Sequence, residues 1–209
     1  MNKNKLIPRF GIFLAIHMIS SLVINAQHIN LSPFVGYETG ANISTSYGNL
    51  HIGDGMDFGG ILDVGMGGGR YGEFSYSHLS SYLDVETGMA TTRKCDLAVD
   101  YYSLGILQEI KNESDATPYG LFALGIVNYR PTSGTEISSE NKMHISFAGG
   151  VKIKVSEKIG IRLQARLLMP LYYAGTYFYV GTGGGGANMS GGIHGVQGDF
   201  TAALVIKIK

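Results

Sequence analysis

His78 and Ser80 stand two residues apart in "EFSYSHLSSYLDVE" (73–86), with Glu86 at the end of the same stretch. A histidine next to a serine can take the hydroxyl proton, and a carboxylate can orient the imidazole. Those are the parts of serine-based acyl transfer. The plain alternative is that these are ordinary polar residues at the end of a strand. A second group is charged: Asp63, Glu73, Lys152, Lys154, Arg162 and Arg166. If they face one another in a confined space, they either neutralise one another as buried pairs or line an ion path. A third stretch is "GTGGGGANMSGGIHG" (181–195), which contains G-x-G-x-x-G at Gly181, Gly183 and Gly186. A dinucleotide fingerprint needs a strand before it and a helix after it. "ANMSGGIHGVQG" supports no helix, and no glycine in the chain is followed by lysine. The stretch reads as the tip of a loop, where glycine leaves the backbone free.

No cofactor or metal is expected. His28, His51, His78, His144 and His194 are scattered singly, without zinc-ligand spacing, and "GDGMD" (53–57) lacks the calcium-loop pattern. Cys95 is the lone cysteine, so no internal disulfide forms, and it reads as a bystander in a loop.

The elements that must carry these residues alternate apolar and polar positions. In "KMHISFAGGVKIKV" (142–155) Met143, Ile145, Phe147, Val151, Ile153 and Val155 share one face, and Lys142, His144, Ser146, Lys152 and Lys154 the other. "GIRLQARLLMPL" (160–171) sets Ile161, Leu163, Ala165 and Leu167 against Arg162, Gln164 and Arg166. The same period runs through 29–38, 57–66, 70–79 and 199–209. Segments 96–111 and 118–130 also read as strands, but their phase is blurred. Eight strands result.

Their connections run 41–56, 67–69, 80–95, 112–117, 131–141, 156–158 and 172–196, alternately long and short. All long loops therefore fall at one end, with the short turns and both termini at the other. That is the layout of an outer-membrane barrel. No repeat beyond the hairpin, no linker and no second domain is apparent.

Composition agrees. Charged residues make up only 15% of 209, and glycine is abundant at 31. Lys3, Lys5 and Arg9 precede the apolar run "FGIFLAIHMISSLVI" (10–24), and "INA" (24–26) precedes Gln27, the layout of a secretory signal peptide cleaved near Ala26. Residues 27–209 would then be the barrel. Removing 1–26 takes away three positive charges and no negative ones, leaving 13 basic and 16 acidic side chains, a net of −3. That balance offers no basic patch for nucleic acid. A soluble barrel also alternates, with its apolar face inside. Here the polar face is rich in Gly, Ser and Ala rather than densely charged, and strands of ten or more residues match a tilted bilayer crossing. The apolar face is therefore assigned to lipid, and the six charged residues to the lumen. An eight-stranded lumen is barely wide enough for its own side chains, so a plug of paired charges is favoured over a pore. Tyr37, Tyr71, Tyr76, Tyr119 and Tyr129 are assigned to the interfacial aromatic girdle.

The chain resembles the small eight-stranded outer-membrane protein β-barrels akin to the transmembrane domain of outer-membrane protein A. The resemblance is carried by the signal ending "NAQ", the hairpin pattern, and stretches such as "PYGLFALGIVNY" and "KIGIRLQARL". It covers about 29–209. Such barrels often end in an aromatic residue, where this sequence has Lys209. The resemblance implies an all-β, antiparallel up-and-down barrel in a Gram-negative-type outer membrane, with outer-membrane lipids and the barrel-assembly machinery as partners. The H-x-S of His78 and Ser80 resembles a second group, the barrel-forming lipid A deacylases, although Ser81 stands where their motif usually carries asparagine. The reading adopted from sequence is a non-enzymatic barrel of structural or surface-interaction role. It would present loops 41–56, 80–95, 131–141 and 172–196 to an extracellular ligand. A narrow pore is the first alternative and a lipid A-modifying enzyme the second.

Overall fold

The computed structural model describes residues 28–45, 48–87, 90–110, 114–133, 138–181, 184–193 and 195–208. The expected signal segment lies outside them. The described residues form eleven strands: β1 (Ile29–Glu38), β2 (Ala41–Thr45), β3 (Gly48–Ile52), β4 (Gly55–Gly67), β5 (Arg70–Thr87), β6 (Ala90–Glu109), β7 (Ala116–Pro131), β8 (Glu140–Lys154), β9 (Ile159–Gly181), β10 (Gly184–Ile193) and β11 (Gln197–Lys207).

Eight of them, β1-β4-β5-β6-β7-β8-β9-β11, pair antiparallel with their neighbours, and the β1–β11 ladder closes the ring. All eight sequence-expected strands are present. Closure leaves no unpaired edge, the condition for crossing lipid with strands. Alternation then decides the faces. Leu31, Val35, Phe58, Leu62, Phe74, Leu104, Ile106, Phe122, Leu124, Phe147, Leu163, Leu167, Phe200 and Leu204 point out and form an exposed apolar belt. Asn30, Ser32, Asp63, Glu73, Ser75, Ser103, Ser146, Arg162, Gln164, Arg166 and Thr201 point in and are buried. Apolar outside and polar inside is the pattern of a membrane barrel.

The two blurred segments resolve. In β6 and β7 the even positions Tyr102, Leu104, Ile106, Phe122, Leu124 and Ile126 face outward. Many of their odd positions are also apolar, because Val99, Tyr101, Leu107, Tyr119, Leu121 and Val127 fill the two ends of the lumen. Two apolar faces leave no period for sequence to detect.

Connections 41–56, 80–95 and 172–196 are corrected: they are largely hairpins. β2 and β3 pair over Ala41–Thr45 and Gly48–Ile52. β5 and β6 stay paired as far as Thr87 and Ala90, with a bulge between Leu83 and Asp84. β9 runs on to Gly181 and pairs with β10, with a bulge between Ser190 and Gly191. Glycine weakens a strand without removing its backbone donors, so the glycine-rich tip still enters a ladder. Cys95 accordingly lies buried within β6 rather than in a loop. The tight turn at the opposite end uses Gly67, Gly68 and Gly69 at φ of 85°, 65° and 76°, a left-handed region costly for other residues.

Candidate functional site

Most of the expected site residues line the lumen. β4 and β5 place Asp63 opposite Glu73. From across the barrel Lys152 Nζ reaches Asp63 Oδ2 at 3.0 Å and Glu109 at 3.2 Å. Arg162 Nη2 donates to Glu73 Oε2 at 2.8 Å, its Nη1 lies 3.6 Å from Asp63 Oδ2, and its Nε donates to the Tyr119 hydroxyl at 2.7 Å. Arg162 also donates to Gln164. Arg166 belongs to a separate group nearer the outer end, donating through Nε and Nη2 to Asp199 Oδ2 at 2.8 and 2.5 Å. Lys154 is exposed beside the β8–β9 turn and joins neither group; it is the last residue of its strand, beyond the lumen.

Three further acids line the lumen: Glu38, Asp57 and Asp199, all buried. Glu38 and Asp199 are register partners on the closing seam, and Gln197 Nε2 donates to Glu38 Oε1 at 2.9 Å. A Cβ at Gly36 would lie 2.4 Å from Asp57 Oδ1, so glycine there makes room for the carboxylate. All three occupy the polar phase of their strands, and that phase is their only signal in the sequence. Of the tyrosines assigned to a girdle, Tyr37 and Tyr76 face outward. Tyr71, Tyr119 and Tyr129 do not. The Tyr71 ring lies 4.3 Å beneath Lys152 Nζ, Tyr119 is buried in the lumen, and Tyr129 packs on the interior cluster of Leu79, Val99 and Val127. An odd position on β5 or β7 is a lumen position whatever its residue type.

The outer wall holds the second constellation. On β5 the even residues Tyr76, His78 and Ser80 point away from the lumen, and His78 stands directly opposite Asp100 of β6. His78 Nδ1 lies 2.7 Å from Asp100 Oδ1, and Ser80 Oγ 3.4 Å from His78 Nε2. Two more donors hold the same carboxylate: the Tyr76 hydroxyl at 2.9 Å, and Arg130 of β7 through Nε at 3.0 Å and Nη2 at 2.6 Å. The acid is therefore Asp100, not Glu86, which lies eight residues beyond His78 along β5 and pairs with Thr91. Sequence spacing within one strand could not find a partner supplied by cross-strand register.

The height of this group matters. On β6, β7 and β8 the apolar belt ends at Tyr102, Ile126 and Met143. The next outward positions are Asp100, Asn128 and Asn141, with Asn128 donating to Asn141 at 2.6 Å. Asp100 thus lies just beyond the belt on the β6 side, while on the β4 side the exposed Phe58 stands opposite His78, so Ser80, His78 and Asp100 sit at the belt's outer rim. Contacts from His78, Tyr76 and the Arg130 guanidinium all favour the charged form of the Asp100 carboxylate. The charged form is the one an orienting acid needs. A cavity of about 430 Å³ opens beside it, lined in part by His78, Ser80, Tyr82, Ala98, Arg130 and Thr132. Ser81 also borders the cavity, but its hydroxyl donates to the Gly53 carbonyl at 2.5 Å. Among the described residues no group of three or more His, Cys, Asp or Glu is placed to hold a metal ion.

No family model matches the sequence, and no curated protein does either. Solved structures do match. OprG, an outer-membrane protein of Pseudomonas aeruginosa, superposes with a TM-score of 0.60 at 9% identity, over 87% of this chain and 94% of its own. Neisserial surface protein A gives 0.57 at 12% identity, over 85% and 96%. The outer-membrane protein AlkL gives 0.54 at 11%, over 88% and 92%. At these identities the likeness is one of architecture: the chain has the fold of the small eight-stranded outer-membrane β-barrels.

Proposed function

We propose that the chain is an acyl-ester hydrolase of the outer leaflet of a Gram-negative-type outer membrane, reached after cleavage near Ala26, with lipid A as its substrate. The observation that carries this is the placement of Ser80, His78 and Asp100 on the outward wall at the belt's outer rim, where ester groups of a leaflet lie. In this reaction His78 Nε2 takes the Ser80 proton as Oγ attacks the ester carbonyl. Asp100 keeps Nδ1 protonated and steadies the imidazolium. Collapse expels the alcohol, which receives the proton from His78, and leaves an acyl-serine. Water, deprotonated by His78, then releases the carboxylic acid and restores Ser80. The 3.4 Å approach of Ser80 to His78 is a resting geometry of the kind that tightens when substrate binds.

The test is incubation of the folded protein with lipid A in detergent micelles, followed by mass spectrometry. Loss of one acyl chain, abolished by Ser80→Ala and by His78→Asn, supports the reading. An unchanged lipid, or a rate that survives Ser80→Ala, overturns it.

A second reading, a structural or surface-interacting barrel without chemistry, is favoured by the lumen. There Asp63 and Glu73 are paired with Lys152 and Arg162, a stiffening arrangement that also argues against a narrow pore. Lipids, the barrel-assembly machinery and an extracellular ligand at the outer hairpins would be its partners.

A further inference from the structure

We propose that Arg130 is both a positioning residue for the Ser80–His78–Asp100 relay and the headgroup reader of the site, selecting acyl esters whose headgroup carries a phosphate. The inference rests on the hydrolase reading and concerns what the site accepts.

Arg130 spends one edge of its guanidinium on Asp100, with Nε and Nη2 both on Oδ2. Its side chain is nonetheless 51% exposed. Nη1 donates to no side chain among the described residues, and Arg130 borders the same cavity as Ser80 and His78. Among the described residues of that lining Arg130 is the one arginine or lysine. The lining also holds one carboxylate, Asp96, exposed on the β6 wall, so Arg130 is the part of the described lining that attracts an anion.

Outward rows fix the orientation of a bound lipid. Below the triad on β6 and β7 lie Tyr102, Leu104, Leu124 and Ile126, which suit acyl chains. Above it lie Arg130 and Thr132, which suit a headgroup. A guanidinium with a free edge is matched to phosphate, since it offers paired donors in a fixed plane and is charged at any working pH. Phosphate on the free edge fixes the plane whose other edge holds Asp100. Binding the correct headgroup thereby steadies the acid that orients His78.

The experiment compares bisphosphorylated lipid A with the same lipid after phosphatase treatment, in identical micelles, using wild type, Arg130→Lys, Arg130→Gln and Ser80→Ala. Wild type is expected to favour the phosphorylated lipid in kcat/KM by roughly tenfold or more, the scale of one charge-assisted hydrogen-bonded contact. Arg130→Gln should lose that preference through KM and lower kcat on both lipids. Arg130→Lys, a point charge without the fork, should keep part of the preference while kcat falls. Equal wild-type rates on the two lipids, or a full preference retained by Arg130→Gln, overturns the proposal. If Arg130→Gln is inactive on both, wild type and Arg130→Lys decide by the same criterion. Activity in Ser80→Ala would instead sink the hydrolase reading itself.

Discussion

One guanidinium serves two acids from adjacent strands: Arg162 donates to Glu73 at 2.8 Å, and its Nη1 lies 3.6 Å from Asp63. Arg162 and Glu73 are both nearly inaccessible, so neither charge can turn to water when the other is removed. Glu73→Gln is expected to destabilise the folded barrel by about 3–5 kcal/mol, the cost of leaving one partner of a buried pair uncompensated. Glu73→Gln combined with Arg162→Met should recover much of it, because Lys152 remains to serve Asp63. Urea unfolding in detergent followed by gel mobility measures both. Glu73→Gln with Arg166→Met should recover little, since Arg166 pairs with Asp199.

The Asp100 carboxylate accepts from three side chains. Asp100→Asn keeps the shape but removes the charge that orients His78. Deacylation kcat should fall by about 10²–10⁴-fold, the range for general-base assistance, with KM little changed. Asp100→Glu should restore part of the rate. Single-turnover assays on lipid A read the effect, and an Asp100→Asn rate equal to wild type would count against the triad.

Phe147 and Ser146 are sequence neighbours on opposite faces, 50% and 1% exposed. Phe147→Arg should cost about 2–4 kcal/mol if it lies near the midplane of the bilayer, and Leu163→Arg the same. Ser146→Arg should fail for another reason, by crowding a lumen already filled by His144 and Arg166. Folding yield into vesicles of varied thickness separates the two: only the lipid-face variants should respond to thickness.

Hairpin geometry sets the topology. In a Cys95→Ala background, cysteine at Ser133 or Gly185 should react with an impermeant thiol reagent on intact cells, and cysteine at Ser114 should not. Ser133 lies past the outer end of β7, and Ser114 just before its other end, on the β6–β7 connection. Labelling at 114 alone would reverse the orientation.

Much of this is legible in sequence wherever lipid imposes one apolar face. β8 and β9 declare their register through Phe147, Leu163 and Leu167 against Ser146, Arg162 and Arg166. β6 and β7 do not, because Tyr101 and Val127 bring apolar bulk to the lumen as well. His78 and Ser80 are visible because they share a strand. Asp100 and Arg130 are not, because a ladder unites residues 22 and 30 positions apart without leaving a trace in spacing. For the same reason the sequence does not reveal that Arg162, and not Arg166, is the partner of Glu73.

The β1–β11 ladder joins Asn30 to Lys207 and Glu38 to Asp199, so closure waits on pairings between the two ends of the barrel chain. Every other seam of the barrel joins strands that follow one another around the ring. Contacts so distant in sequence form slowly, because the whole intervening chain must be confined before they contribute. Until β11 arrives, the seven-stranded sheet has two open edges, each a template for the wrong partner. Closure by the final strand is therefore the step expected to be slow. A change on the seam that leaves the closed form unstrained, such as Thr201→Ser, should slow its appearance more than it lowers its stability, whereas any side chain at Gly36 would also strain the closed form against Asp57.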